Sequence, residues 1–363
     1  MTLKRLLRGP SWTVAIPVLA VVVLAATWGA KPAVAVLVVV GVLLAGSVLA
    51  AVHHAEVVAH RVGEPFGSIV LAVAVTVIEV GLIVTLMVSA GSETSTLARD
   101  TVFAAVMITC NGVVGLSLLV GTLRRRVAAF NAEGTATALA TVATLTTLTL
   151  VLPRFTTSRS GPEFSPAQLA FAAVASLALY ALFVVVQTVR HRDYFLPVGT
   201  DVDLEDHAAP PSDRITLASL GLLVVALVAV VGLAKVESPA IEDAVEAVGA
   251  PQSAVGVVIA LLVLAPETLA AVRNAARDRV QTSFNLAFGS AMASIGLTIP
   301  AIAIASIWLE GPLELGLGAT QMVLLAITVV VAALTVLPGR ATLQESGVHL
   351  GLFGAFLFLA INP

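Results

Sequence analysis

Two glutamates stand inside long apolar runs. Glu79 sits in AVTVIEVGLIV, with no basic residue within ten positions on either side. A charged carboxylate at that depth in a membrane costs about 3 kcal/mol on insertion scales, so such a residue normally faces a cavity, a partner or a transported ion. A protonated Glu hydrogen-bonded to a neighbouring helix is the structural alternative. Glu267 follows Pro266 in LVLAPETLAAVRN. Proline has no N–H to give and frees the carbonyl of Leu262, which predicts an unwound turn beside the carboxylate. Backbone oxygens next to a carboxylate are what a hard cation needs. The alternative is a helix end, because Arg273 lies only six residues on and Glu267 could reach the surface. The helix after each Glu adds small and polar residues: Thr109, Asn111, Gly112 and Gly115 in one, Asn285, Gly289, Ser290 and Ser294 in the other. Thr76 lies one turn before Glu79. Oxygens from Thr76, Asn111, Ser290 and Ser294 could complete a shell around a transported cation, although small residues also serve close helix packing.

A second group is HHAEVVAHRVGEP, with His53, His54, Glu56, His60 and Glu64. His53, Glu56 and His60 fall on one helical face at i, i+3 and i+7. That pattern could hold a transition metal or sense pH in a vestibule. The spacing is not the His-Glu-x-x-His of zinc proteases, and plain interfacial histidines are the simpler alternative. His349 is a further imidazole in an apolar helix, with no role assigned. Asp100 and Asp278 stand at helix starts, where a carboxylate satisfies the helix dipole. Cys110 is the single cysteine, which excludes an intramolecular disulfide and a thiolate metal cluster.

The elements that carry these residues follow from composition. Of the 363 residues 58% are hydrophobic and 11% charged, and the mean hydropathy is +1.03. Soluble domains are about half apolar and a quarter charged. Eleven apolar runs are long enough to span a bilayer: 11–28, 33–55, 64–90, 101–123, 135–152, 166–189, 215–234, 252–272, 280–308, 317–337 and 344–361. The runs 64–90 and 280–308 exceed the length of a straight span, which predicts tilting or a break. With the N-terminus inside, Lys4, Arg5, Arg8, Arg61, Arg124, Arg125, Arg126, Arg190, Arg192, Arg214, Arg273, Arg277, Arg279 and Arg340 lie on the cytoplasmic side. Lys31, Arg99, Arg154, Arg159 and Lys235 lie opposite, a fourteen-to-five bias that fits the positive-inside rule. The expected location is a bacterial inner membrane, crossed many times, with the N-terminus cytoplasmic and the C-terminus periplasmic or external.

The segment 190–214 carries Asp193, Asp201, Asp203, Glu205, Asp206 and Asp213 and reads as an acidic cytoplasmic linker. One helix plus five precede it and five follow. A duplicated unit of five helices must enter the membrane in opposite senses, as in inverted-repeat transporters. Each half supports this with a long apolar run holding one interior Glu, then Ala-Arg-Asp before the next helix. Glu79 lies 15 residues after Glu64, and Glu267 lies 15 after Gln252, so the two carboxylates reach similar depth from opposite faces. The expected fold is therefore an all-α polytopic membrane protein. Residues 1–32 form an extra helix, 33–190 the first repeat, 191–213 the linker and 214–363 the second repeat.

The stretches VAHRVGEPFGSIVLAVAVTVIEVGLI and LAPETLAAVRNAARDRVQTSFNLAFGSAMASIGLTIPAI resemble the two alpha-repeats of bacterial ChaA-type calcium/proton antiporters, within the calcium/cation antiporter superfamily. The resemblance extends over nearly the whole chain. It implies exchange of Ca2+, or of Na+ or K+, for protons. It matches the Glu of each alpha-repeat to Glu79 and Glu267, and the family's helix-breaking Gly-Ser to Gly289 and Ser290; the first repeat has Asn111 and Gly112 there. Many relatives carry Gly-Asn-x-x-Glu, whereas this chain has Val75-Thr76-Val77-Ile78-Glu79 and Val263-Leu264-Ala265-Pro266-Glu267, a departure that bears on ion selectivity.

These readings converge on a secondary transporter rather than an enzyme, with no cofactor. Its partners would be inorganic cations, protons and the lipid bilayer, with no nucleic acid. Cation and protons would compete for the two glutamates. An Na+ or K+ antiporter with the same site, an intramembrane metalloenzyme using the histidines, and a channel are the rival readings.

Overall fold

The computed structural model describes residues 12–30, 32–63, 66–90, 95–198, 211–247, 249–308 and 311–363. Glu64, Lys4, Arg5, Arg8, Lys31 and the linker acids Asp201, Asp203, Glu205 and Asp206 lie outside the described residues. Helices dominate because the hydrocarbon interior offers no water to backbone polar groups, so each span must satisfy its own. Ten described helical stretches are long and apolar enough to cross a membrane. A shorter apolar helix, α1 (Trp12–Thr27), precedes them. The chain is an all-α polytopic membrane protein.

Two compact units form, Met1–Ser89 with Ala208–Ala244, and Ala90–His207 with Val245–Pro363. The first contains α1, α2 (Val34–Val62), α3 (Phe66–Ala90) and most of α8 (Asp213–Ala247). Glycines bring these helices together. An added Cβ at Gly46 of α2 would lie 2.9 Å from Ile16, and one at Gly232 of α8 would lie 2.3 Å from Leu24. The α2 helix has 29 residues, about 43 Å of axis, so its last turns project beyond a hydrocarbon layer of about 30 Å.

The second unit is built around the stretch Leu97–Arg125, in which 89% of the most apolar window is buried. This stretch is α4 (Leu97–Met107), a π-helical turn (Ile108–Val113) and α5 (Val114–Arg125). Around it pack α9 (Ser253–Ala276), α10 (Val280–Ala305) and α12 (Leu343–Ile361), with α6 (Ala132–Thr146), α7 (Pro166–Val185) and α11 (Ala319–Val336) further out. The outer helices expose apolar side chains, Phe171 and Val174 on α7 and Val323 and Leu334 on α11, as lipid-facing surfaces do.

The two ends of this unit differ in charge. At one end β1 (Ala128–Ala129) pairs antiparallel with β2 (Arg340–Ala341), and Arg124 donates to the carbonyl of Ala276. Nine arginines belong to this end: Arg124, Arg125, Arg126, Arg190, Arg192, Arg273, Arg277, Arg279 and Arg340. At the other end Gly316 donates to the carbonyl of Pro162, and Ser95 donates to Glu314; it holds only Arg99, Arg154 and Arg159.

The breaks fall where the run lengths do not place them. Within the runs 64–90 and 280–308 the described residues form single unbroken helices, α3 and α10, while π-helical turns lie within 97–125 and directly after α6 (Thr147–Val151) and α7 (Val186–Arg190). Run length constrains tilt, whereas a π-turn depends on which neighbours receive the displaced side chains.

Candidate functional site

In the first unit, α3 presents a buried stripe of Val75, Ile78, Leu82, Ile83 and Leu86 at helical spacing. Glu79 lies within this stripe and is 2% exposed, and Thr76 is buried three residues earlier on the same face. At Gly81 an added Cβ would lie 2.6 Å from a methyl of Val231, so the Val231 side chain of α8 packs directly on the α3 backbone. The ionisable group thus sits on a close-packed helix face rather than at a frayed end.

The histidine segment separates into two kinds of position. His54 is buried, with Nε2 3.0 Å from the carbonyl oxygen of Thr13, so its N–H ties α2 to α1. His53, Glu56 and His60 are exposed near the end of α2. Among the described residues, no three His, Cys, Asp or Glu side chains come together to hold a metal, which leaves the transition-metal alternative for this segment without support. Positions i to i+7 spread over about 10 Å of helix axis, and a single helix cannot close a coordination sphere over that length.

In the second unit, Glu267 is half-buried on α9. The unwound turn expected at Pro266 is absent, since α9 runs unbroken from Ser253 to Ala276. One missing N–H removes one ladder bond, and unwinding would expose further backbone groups to an apolar medium at several kcal/mol each. Nor do Gly289 and Ser290 break α10, which is continuous through both. An added Cβ at Gly289 would meet nothing within 4 Å, Ser290 is half-buried, and Ser294 is buried. Asn285 serves the end of the unit: its Oδ1 accepts from Gln281 at 2.9 Å and its Nδ2 donates to the carbonyl of Phe195 at 2.7 Å. Gln281 in turn accepts from the backbone N–H of Asn131 at 2.7 Å.

Asn111 is fully buried in the π-turn and points towards α11 and α12. Its Nδ2 donates to Thr328 Oγ1 at 2.9 Å, and its Oδ1 accepts from His349 Nδ1 at 3.2 Å. His349 Nε2 lies 3.1 Å from Thr335 Oγ1. Thr109 donates within its own helix, to the carbonyl of Ala105 at 2.7 Å. Added Cβ atoms at Gly112 and Gly115 would lie 3.3 Å from Phe353 and 2.9 Å from Leu350, so both glycines admit α12. Of these partners the sequence marks His349, without a role, and nothing in it singles out Thr328 or Thr335. The available signal was His349 itself, because an imidazole inside an apolar helix needs partners for both nitrogens.

Two acids expected at helix starts also pair with arginines, and Asp100 does so from the first turn of α4. Asp100 is buried, accepts from Arg99 Nε at 2.8 Å and from Gln321 Nε2 at 3.0 Å, and joins α4 to α11. A cavity of about 210 Å³ beside them is also lined by Phe103, Leu324 and Phe356. Asp278 pairs with Arg125 at 3.0 Å. An arginine within reach adds to the pull of a half-charge at a helix terminus.

The model of the sodium/calcium exchanger protein family matches residues 32–189 and 218–362, most of the chain and both of its halves. The chain belongs to this family. Among similar proteins, y4hA of Sinorhizobium fredii, named as a candidate ionic transporter, is 45% identical over 98% of this chain and 97% of its own length. The sodium-potassium/proton antiporter ChaA of Escherichia coli is 33% identical over 94% of this chain and 93% of its own length. Two solved structures share the fold at 17% identity. Native YfkE has a TM-score of 0.72, covering 97% of this chain and 99% of that one. The H+/Ca2+ exchanger CAX has a TM-score of 0.71, covering 95% and 86%. The chain is thus a ChaA-type cation exchanger of the calcium/cation antiporter superfamily, a multi-pass membrane transporter.

Proposed function

We propose that the chain is a cation/proton antiporter in which Ca2+ and protons compete for Glu79 and Glu267. The observation that carries this reading is the burial of Glu79, 2% exposed in an apolar stripe within a membrane span. A bare carboxylate is costly in such surroundings, so the empty site is stable with the carboxyls protonated. An arriving divalent cation pairs with both carboxylates and displaces their protons. A site that opens to one side of the membrane at a time turns this competition into exchange. Thr76, Ser290 and Ser294 are the hydroxyls assigned to the cation shell in this reading.

The test uses purified protein in vesicles with an internal pH dye, screened with Ca2+, Na+ and K+. Glu79→Gln and Glu267→Gln each reduce exchange to background while insertion is unchanged, since Gln keeps size and hydrogen bonding but carries no exchangeable charge. Near wild-type transport by either variant removes that residue from the site. Direct Ca2+ addition in weak buffer releases up to about two protons per ion, one for each carboxyl. The name of the Escherichia coli relative supports a second reading, Na+ or K+ in place of Ca2+, which the same ion screen decides.

We further propose a bacterial inner-membrane location with the arginine-rich end in the cytoplasm. Support comes from the nine-to-three distribution of arginines between the ends of the second unit. A single cysteine at Ser160 is labelled from outside intact cells, and one at Ser212 is not; the reverse pattern inverts the orientation. In this reading residues 33–190 and 214–363 are the two inverted repeats.

A further inference from the structure

The polar group around Asn111 belongs to neither proposed carboxylate, and four side chains from three segments meet in it. All are buried: Asn111 in the π-turn, Thr328 and Thr335 on α11, and His349 on α12. The directions of its hydrogen bonds follow from chemistry. An amide Oδ1 can only accept, so His349 Nδ1 carries the hydrogen across the 3.2 Å contact. In the neutral ring Nε2 is then the acceptor, and the Thr335 hydroxyl donates to it at 3.1 Å. Asn111 Nδ2 passes its own hydrogen to Thr328 at 2.9 Å. Both ends of the Asn111 amide are therefore engaged by α11 and α12.

The π-turn gives this group a consequence. A π-turn holds one residue more than the α-helical register would, and it persists where the surroundings over-determine it. Here the displaced residues meet partners made for them. Gly112 and Gly115 let α12 approach so closely that added Cβ atoms would lie 3.3 Å from Phe353 and 3.2 Å from the Cβ of His349. Ser346, one turn before His349, donates to the carbonyl of Gly115 at 3.0 Å. The α12 helix thus grips the stretch Leu97–Arg125 at and just after the π-turn by hydrogen bonds from two side chains, His349 and Ser346, and by close packing on Gly112 and Gly115.

We propose that His349 is a positioning residue for the exchange reaction, holding the Asn111 amide and with it the π-turn at the centre of the second unit, and that Asn111 is a strut rather than a cation ligand. This rests on the antiport reading above. The π-turn sets the shape of the most buried span of the unit, so releasing it slows the conformational step and leaves the ion's own ligands in place.

The experiment measures exchange in vesicles against cation concentration, on variants whose insertion and monodispersity match wild type. His349→Asn offers an amide N–H near the place of Nδ1 and retains at least about half of the maximal rate. His349→Gln and His349→Leu lose the bond to Asn111 and lower the maximal rate about tenfold, the size expected when a buried polar group loses its partner. The half-saturating cation concentration stays within about twofold in each, on the same argument that the ligands are untouched. In an Asn111→Ala background, His349→Gln has little further effect, because the two residues act through one bond. Thr335→Val, which keeps the side-chain volume, carries the test if His349→Leu fails to fold, and it too lowers the maximal rate. Three results overturn the inference. One is a maximal rate unchanged in both His349→Gln and Thr335→Val. Another is additive losses in the double variant. The third is a half-saturating concentration that rises with the maximal rate unchanged, which would make Asn111 a ligand. A wild-type protein that exchanges no tested cation for protons instead refutes the antiport reading, and that control is read first.

Discussion

Two helical stretches of the second unit, 97–125 and 280–305, carry much the same kit of small and polar residues and use it in opposite ways. In the first, Asn111, Gly112 and Gly115 all serve neighbouring helices: the amide is bonded to Thr328 and His349, and the glycines admit α12. The helix yields by one residue at Ile108–Val113 to make this possible. In the second, Gly289 meets nothing within 4 Å of an added Cβ and Ser290 is half-buried. Its amides, Gln281 and Asn285, are taken up within its first two turns by Asn131 and Phe195, and the helix stays regular. Polar composition inside a membrane helix therefore does not mark an ion-facing surface. The decisive quantity is whether a neighbouring helix has already taken the group's hydrogen bonds.

The contrast can be broken by substitution, with thermal unfolding of purified protein as the measure. The largest effect is expected for Asn111→Leu. It removes the buried hydrogen bonds to His349 Nδ1 and Thr328 Oγ1 and costs about 2–4 kcal/mol, whereas Ser290→Ala costs less than about 0.5 kcal/mol. Equal losses in the two variants would end the comparison. A smaller effect follows at the glycines. Gly115→Ala forces a methyl to within 2.9 Å of Leu350 and costs about 1–3 kcal/mol. Gly289→Ala, the smallest change, enters open space and is neutral or stabilising by up to about 1 kcal/mol through helix propensity. Destabilisation by Gly289→Ala would show that this face is packed, and it would weaken the assignment of Ser290 to the cation shell.

What the sequence determined by itself is what the bilayer enforces one segment at a time. The eleven apolar runs agree with α1 and the ten candidate spans to within several residues at most ends, because hydrocarbon thickness sets the length of every span independently of its neighbours. The main excess is at the C-terminal end of α8, where 235–247 continues the helix past the charged residues that end the apolar run. The intramembrane position of Glu79 was equally legible, since a charge in an apolar run stands out without knowledge of any partner. Tertiary structure decided the rest. Pro266 interrupts nothing, because the helix on either side holds its own hydrogen bonds. Asp100 finds Gln321 across 221 positions, and Asn111 finds Thr328 and His349 across 217 and 238. Hydropathy is read along one helix, but the direction a polar side chain takes is chosen by whichever helix packs against it, and those neighbours come from the far half of the chain.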